Sequence, residues 1–215
     1  NNKYKFGATQ GRLTKSPELQ RFPSESWQLE FPNASKLGIS YIELLSEKSF
    51  NPNNPLWSSS GRAELKNLCK ENKLDMHSIV CDYSLEHSII YDYNNNSCSH
   101  HTNTLFSAAS DLGCDLVVLP LMDESNIDSN NMHQFIEILD SLSNEAMKHK
   151  IIICLETHLK SSEIIDLLGS INKDNIKAVF DTGNRVLYEE DLYSEILLLN
   201  KYLKHVHIKD KDSAG

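Results

Sequence analysis

No stretch of this chain approaches the roughly 20 consecutive apolar residues that a bilayer-crossing helix needs, so no membrane partner is expected. Positive charge is also scarce. Lys and Arg number 21 against 30 Asp and Glu, leaving a net charge of −9, with a sequence pI near 5.4. That balance speaks against a broad basic face for nucleic acid or an anionic membrane. A small phosphorylated ligand stays open, because a few cations or backbone N–H groups hold one phosphate. The stretch Asn1-Asn2-Lys3-Tyr4-Lys5-Phe6 lacks the apolar centre of a secretory signal. The five cysteines, Cys69, Cys81, Cys98, Cys114 and Cys154, are odd in number, widely spaced and without a C-x-x-C pair. They are expected to be reduced thiols of a cytoplasmic protein, several of them core filler. No G-x-G-x-x-G follows the first strand, and no G-x-x-x-x-G-K-[ST] occurs, which lowers the nucleotide-binding open-sheet reading. No internal repeat and no low-complexity tail is visible.

What the chain does have is alternation. Short β-branched or aromatic runs predict strands at Tyr4–Thr9, Tyr41–Leu45, Asp75–Cys81, Leu116–Leu119, Ile151–Leu155, Ala178–Phe180 and His205–Ile208. Amphipathic segments between them predict helices over Ser24–Leu37 (interrupted by Pro32), Gly61–Asn72, Thr104–Leu112, Asn131–Lys148, Ser161–Leu168 and Glu189–Tyr202. Gly38 and Gly113 stand where a helix end calls for a left-handed residue. Asp92–Asn103 and Asp123–Asn130 read as irregular loops. Strand–helix alternation with short connections implies parallel strands and right-handed crossovers. The fold class is therefore α/β, either a doubly wound open sheet or a TIM-type (β/α) barrel, in a single domain over residues 1–215. Seven units are readable where a closed barrel needs eight. The expectation is a C-terminally incomplete barrel with the edges of its first and seventh strands exposed. Association into a homo-oligomer is one way of covering them.

Three polar residues end late strands: Glu156 after Ile151–Leu155, Asp181 after Ala178–Phe180, and His207 within His205–Ile208. Parallel strand ends of a barrel converge on one mouth. Two carboxylates and an imidazole suit Mn²⁺, Mg²⁺, Co²⁺ or Zn²⁺ with positions open for substrate oxygens. Each residue alone has a plainer reading, a helix N-cap for the acids and hydrogen-bonded packing for the histidine. Three on consecutive strands are harder to assign to chance. Further pocket candidates are Glu43, against a capping role, and Asp82 with Tyr83 at the end of the third strand. Arg12, leaving the first strand beside Gln10, suits a bidentate phosphate contact or a surface ion pair. His77 reads as a buried structural residue, and His158 as solvent-facing. Cys98, His100 and His101 match no zinc pattern and read as part of a mobile loop. His205 and His207 share a strand face, but only His207 is assigned to metal.

In order, Leu155-Glu156-Thr157, Asp181-Thr182-Gly183-Asn184 and His205-Val206-His207-Ile208-Lys209-Asp210 resemble strands five to seven of the xylose-isomerase-like TIM barrels. That superfamily holds sugar-phosphate isomerases and epimerases, inosose dehydratases and endonuclease IV. Gln10-Gly11-Arg12-Leu13, with Phe22-Pro23 and Trp27, and Val118-Leu119-Pro120-Leu121-Met122-Asp123 resemble its sugar phosphate isomerase/epimerase subgroup. The resemblance implies a divalent metal on Glu156, Asp181 and His207, with Glu156 also an acid/base. It implies a small sugar or sugar phosphate as substrate and proton abstraction next to a carbonyl through an enediolate. An inosose-dehydratase-like hydro-lyase, or a barrel that only binds sugar, is the alternative. Asn184 stands where several relatives carry a substrate-contacting histidine, so Asn184 and Lys209 join Gln10, Arg12, Glu43 and Asp82 as substrate-binding candidates. Asp210 shares with Lys209 a second reading as a rim salt bridge. The glutamate that relatives carry on strand eight has no counterpart within these residues.

Overall fold

The computed structural model describes residues 4–15, 21–91, 97–186 and 191–209. Its elements alternate along the chain as β1 (Gly7–Thr9), α1 (Trp27–Lys36), β2 (Tyr41–Ser46), α2 (Ser59–Asn72), β3 (Ser78–Cys81), α3 (Tyr83–Glu86), α4 (Ser97–Leu112), β4 (Leu116–Leu121), α5 (Met132–Lys148), β5 (Ile152–Thr157), α6 (Ser161–Ile171), β6 (Ile176–Asp181), α7 (Thr182–Arg185), α8 (Leu192–Leu199) and β7 (Leu203–His207). The seven strands form one sheet in sequence order, every pair parallel. This sheet curls: His207 of β7 lies 2.9 Å from Glu43 of β2. The architecture is the TIM-type barrel expected, with six strand–helix units and a seventh strand among the described residues. No helix among these residues is long and apolar enough to cross a membrane.

Period-two alternation divides the apolar side chains into two cores. Val117, Leu119, Ile153, Leu155, Ala178 and Phe180 point outward and pack with Phe31, Leu65, Phe106, Phe135, Leu139 and Ile164 of the surrounding helices. Leu45, Val80, Leu116, Val118, Cys154 and Val179 form a smaller cluster inside the barrel. Adding two residues to Val80, Cys154 and Val179 reaches Asp82, Glu156 and Asp181. The inner apolar layer thus hands over to a polar layer at the C-terminal strand ends, where such barrels place their chemistry.

Two of the chain's eight glycines end helices. Gly38 (φ +71°) and Gly113 (φ +82°) supply the expected left-handed residues after α1 and α4. After α2 and α6 that conformation falls to Lys73 (φ 57°) and Asn172 (φ 48°), a cost that asparagine bears more easily than lysine. Pro32 lies within α1 without ending it, and Trp27, Phe31 and Ala34 still bury one face. One expectation is corrected. Cys98, His100 and His101 belong to the first turns of α4 rather than to a loop, because His101 docks into the interior, its Nε2 2.7 Å from Ser46 Oγ and its ring stacked on Tyr83. All five cysteines are buried, and none is joined in a disulfide.

Glu30 of α1 is fully buried, and its Oε1 accepts from the backbone N–H of Gly11 at 2.7 Å and of Leu13 at 3.1 Å. Burial raises its pKa, against the two amide hydrogen bonds. This one side chain ties the turn after β1, and with it Arg12, to the helix layer. Glu30→Ala leaves two amides unpaired and should lower stability in urea unfolding by about 2–3 kcal/mol, while Glu30→Gln, which keeps an acceptor, should cost about 1 kcal/mol or less. Equal losses for the two variants would show that the amide hydrogen bonds are not what Glu30 contributes.

Candidate metal centre and active site

A cavity of about 1150 Å³ opens at the C-terminal mouth and runs back to the starts of β1, β2 and β3; it is lined by residues from every strand of the barrel, among them Arg12, Glu43, Lys48, Asp82, Glu156, Asp181, Asn184, His205, His207 and Lys209. Its floor is crowded with charge. His207 Nδ1 lies 3.2 Å from Glu156 Oε2 and 3.7 Å from Asp181 Oδ2, while its Nε2 lies 2.9 Å from Glu43 Oε1. Three buried carboxylates therefore surround one imidazole.

A local irregularity puts that ring in place. Ala178 pairs with Leu203 but Val179 pairs with His205, so β7 carries one extra residue at Lys204. Past this bulge, Asp181 stands opposite His207. Continued without it, the ladder would have set Val206 opposite Asp181. A bulge re-aims side chains in this way beside functional sites.

Asp181 is both a site residue and a helix cap. Its Oδ1 accepts from the backbone N–H of Asn184 at 2.7 Å, opening α7, and its Oδ2 meets Lys209 Nζ at 2.9 Å. Asn184 in turn donates through Nδ2 to Glu156 Oε1 at 3.0 Å. Glu43 accepts from Ser78 Oγ at 2.8 Å and lies 3.0 Å from His205 Nε2.

The electrostatics follow from these contacts. Burial opposes ionisation of Glu43, but the hydrogen bonds from His205 and His207 outweigh it and hold the carboxyl well below its usual range. Burial likewise opposes the charge on Asp181 and is outweighed by His207, Lys209 and the Asn184 amide. For His207 burial favours the neutral ring, yet Asp181, Glu156 and Glu43 together push it up to about 12. Asp82, buried at the end of β3, is pushed up to about 7 by burial and then by the charge of Glu156, against the pull of Lys48. Burial also lowers the pKa of His77.

Such a floor demands positive charge. The ligand atoms of Glu156, Asp181 and His207 lie within 4.8 Å of one another, as do those of Glu43, His205 and His207. The first set offers two carboxylate oxygens and an imidazole nitrogen, donors that fit a divalent cation.

The remaining sequence candidates are distributed as follows. Arg12 is exposed at the cavity wall. Gln10 is not among the lining residues; its side chain is buried, and Oε1 accepts from the backbone N–H of Leu45 at 3.1 Å. His77 is half-buried and reaches the cavity wall with its ring 4.5 Å from Tyr41, and His158 is exposed. Asp210 lies outside the described residues. Sequence reasoning passed over His205, Ser78 and Lys48. The shared face of His205 and His207 was visible, but their common partner Glu43 was not.

Comparison with known proteins agrees with this geometry. The family model for the xylose isomerase-like TIM barrel matches residues 31–215. A search of curated protein sequences gives no match. Among solved structures, D-psicose 3-epimerase with D-tagatose from Clostridium cellulolyticum H10 superposes with a TM-score of 0.74 at 19% identity, over 95% of this chain and 72% of that one. The 3-keto-D-glucoside 4-epimerase of E. coli gives 0.73 at 15%, over 96% and 80%. A xylose isomerase-like TIM barrel protein from Mycobacterium smegmatis in complex with magnesium gives 0.70 at 17%, over 99% and 78%. At these identities the superpositions speak for the fold, and the match over residues 31–215 for the family: the chain belongs to the xylose isomerase-like TIM barrels.

Proposed function

We propose that this protein is a metal-dependent isomerase or epimerase of a sugar or sugar phosphate. The observation that carries the reading is the convergence of Glu156, Asp181 and His207 within 4.8 Å on the floor of the cavity. Sugar epimerases among the structural neighbours, one of them with D-tagatose, support the substrate class, and the magnesium complex supports the metal. Glu156, Asp181 and His207 Nδ1 would hold the divalent ion, which would displace the proton from Nδ1 and would supply polarisation of a carbonyl and of the neighbouring hydroxyl.

The protein's own residues do the rest. Glu156 takes the proton from the carbon beside the carbonyl, with the negative charge spread over the substrate as an enediolate; isomerisation returns that proton to the neighbouring carbon, whereas epimerisation needs a second acid on the opposite face of the sugar. Asn184 Nδ2 fixes one oxygen of Glu156 and leaves the other on the side of His207. Asp82, Arg12 and Lys209 line the cavity as contacts for hydroxyl or phosphate oxygens, with Arg12 suited to a bidentate grip. Gln10 acts at one remove, holding the backbone of β2 beside Glu43.

Asp181→Asn and His207→Ala should each weaken Mn²⁺ binding by at least about 100-fold in titration calorimetry, beyond the roughly 10- to 100-fold typical of groups one shell further out. Unchanged affinity in either variant removes that residue from the ligand set. Turnover in D₂O, screened over ketoses, ketose phosphates and inososes with added metal, should place deuterium on the carbon next to the carbonyl. Product free of solvent label points to hydride shift and overturns the assigned role of Glu156.

A further inference from the structure

Glu43 was a candidate for contact with substrate, but its surroundings give it other work. The carboxylate is 3% exposed and its two oxygens meet three donors: Ser78 Oγ at 2.8 Å and His205 Nε2 at 3.0 Å on Oε2, and His207 Nε2 at 2.9 Å on Oε1. A carboxylate with this many donors stays ionised and acts as acceptor only. The hydrogen on His207 Nε2 is thereby committed to Glu43. The other nitrogen, Nδ1, is turned to Glu156 Oε2 at 3.2 Å and Asp181 Oδ2 at 3.7 Å.

Resting on the metal reading above, we propose that Glu43 is the positioning residue of the metal centre: braced by Ser78 and His205, it holds the Nε2–H form of His207 and presents Nδ1 as the ligand atom. A histidine that binds metal through one nitrogen characteristically gives its other N–H to a carboxylate, which fixes the tautomer and the ring plane and strengthens the ligand. Here the carboxylate comes from β2, across the mouth from β7. His205 belongs to the brace, its ring 5.1 Å from that of His207 and edge-on to it. The alternative, a second metal on Glu43, His205 and His207, would draw on the Nε2 that the Nε2–H form keeps protonated.

The test uses the whole chain loaded with Zn²⁺, a diamagnetic probe. Long-range ¹⁵N–¹H spectra of wild type should show His207 protonated at Nε2 and metal-shifted at Nδ1; a metal-shifted Nε2 overturns the proposal without any variant. In calorimetry Glu43→Ala should weaken Zn²⁺ binding by about 10- to 100-fold, and Glu43→Gln, whose carbonyl still accepts the His207 N–H, should recover to within roughly fivefold of wild type. Near-UV circular dichroism checks that each variant is folded. Loss in Glu43→Gln as deep as that in Asp181→Asn makes Glu43 a ligand, and unchanged affinity in Glu43→Ala leaves it without a part; either result overturns the proposal alone. No Zn²⁺ binding by wild type overturns the metal reading and this proposal together.

Discussion

Three buried carboxylates meeting one imidazole is the arrangement on which the rest of this molecule depends. Glu43, Asp181 and Glu156 all lie within 4 Å of His207. In a low-dielectric floor such acids repel one another, and burial penalises each. They persist because every oxygen involved has a donor or a cation beside it: Ser78, His205, the Asn184 amide and side chain, Lys209 and the His207 ring. Local satisfaction turns what would be a destabilising cluster into a site with a strong demand for positive charge. Asp82, which has no such set of close donors among the described residues, shows the opposite outcome and is pushed up to about 7.

The scaffold carries this cluster on two regular devices and one irregular one. Parallel pairing in sequence order brings all strand ends to one mouth. Alternation then places Asp82, Glu156 and Asp181 two residues beyond the inner apolar side chains Val80, Cys154 and Val179. The same pleat that buries the inner core therefore aims the acids. The third device is the bulge at Lys204, which shifts β7 so that a histidine, not Val206, stands level with Asp181.

These devices differ in how far they can be read from residues alone. The alternation of strands and helices, the left-handed glycines after α1 and α4, and the position of Glu156 and Asp181 at strand ends depend on local patterns, so they were legible. The bulge was not, because nothing in Leu203–His207 marks Lys204 as the extra residue; only pairing with β6 does. The contact of Glu43 with His207 joins residues 164 positions apart and exists only once the sheet has curled. For the same reason His205 read as a bystander. His101 was misplaced in a loop because its neighbours are polar, whereas its own docking against Ser46 and Tyr83 draws those turns into α4. Gln10 looked like a cavity residue from its position after β1, yet a buried amide takes whichever backbone partner is in reach, here Leu45.

The division of labour among the acids can be argued from their lone pairs. Glu43 has both oxygens engaged by three donors, and Asp181 spends one oxygen on the cap of α7 and the other on Lys209. Neither can accept a proton from substrate without giving up a contact that holds the site together. Glu156 is bound differently. Asn184 anchors Oε1, and the His207 ring stands 3.2 Å from Oε2. It is at once fixed in orientation and least encumbered. A carboxylate that must take and return a proton needs both properties, since a free rotor loses geometry and a saturated one has no site for the proton. Within the proposed function the acid/base role therefore falls to Glu156, with Asp181 and His207 as structural ligands and Glu43 as the brace behind them.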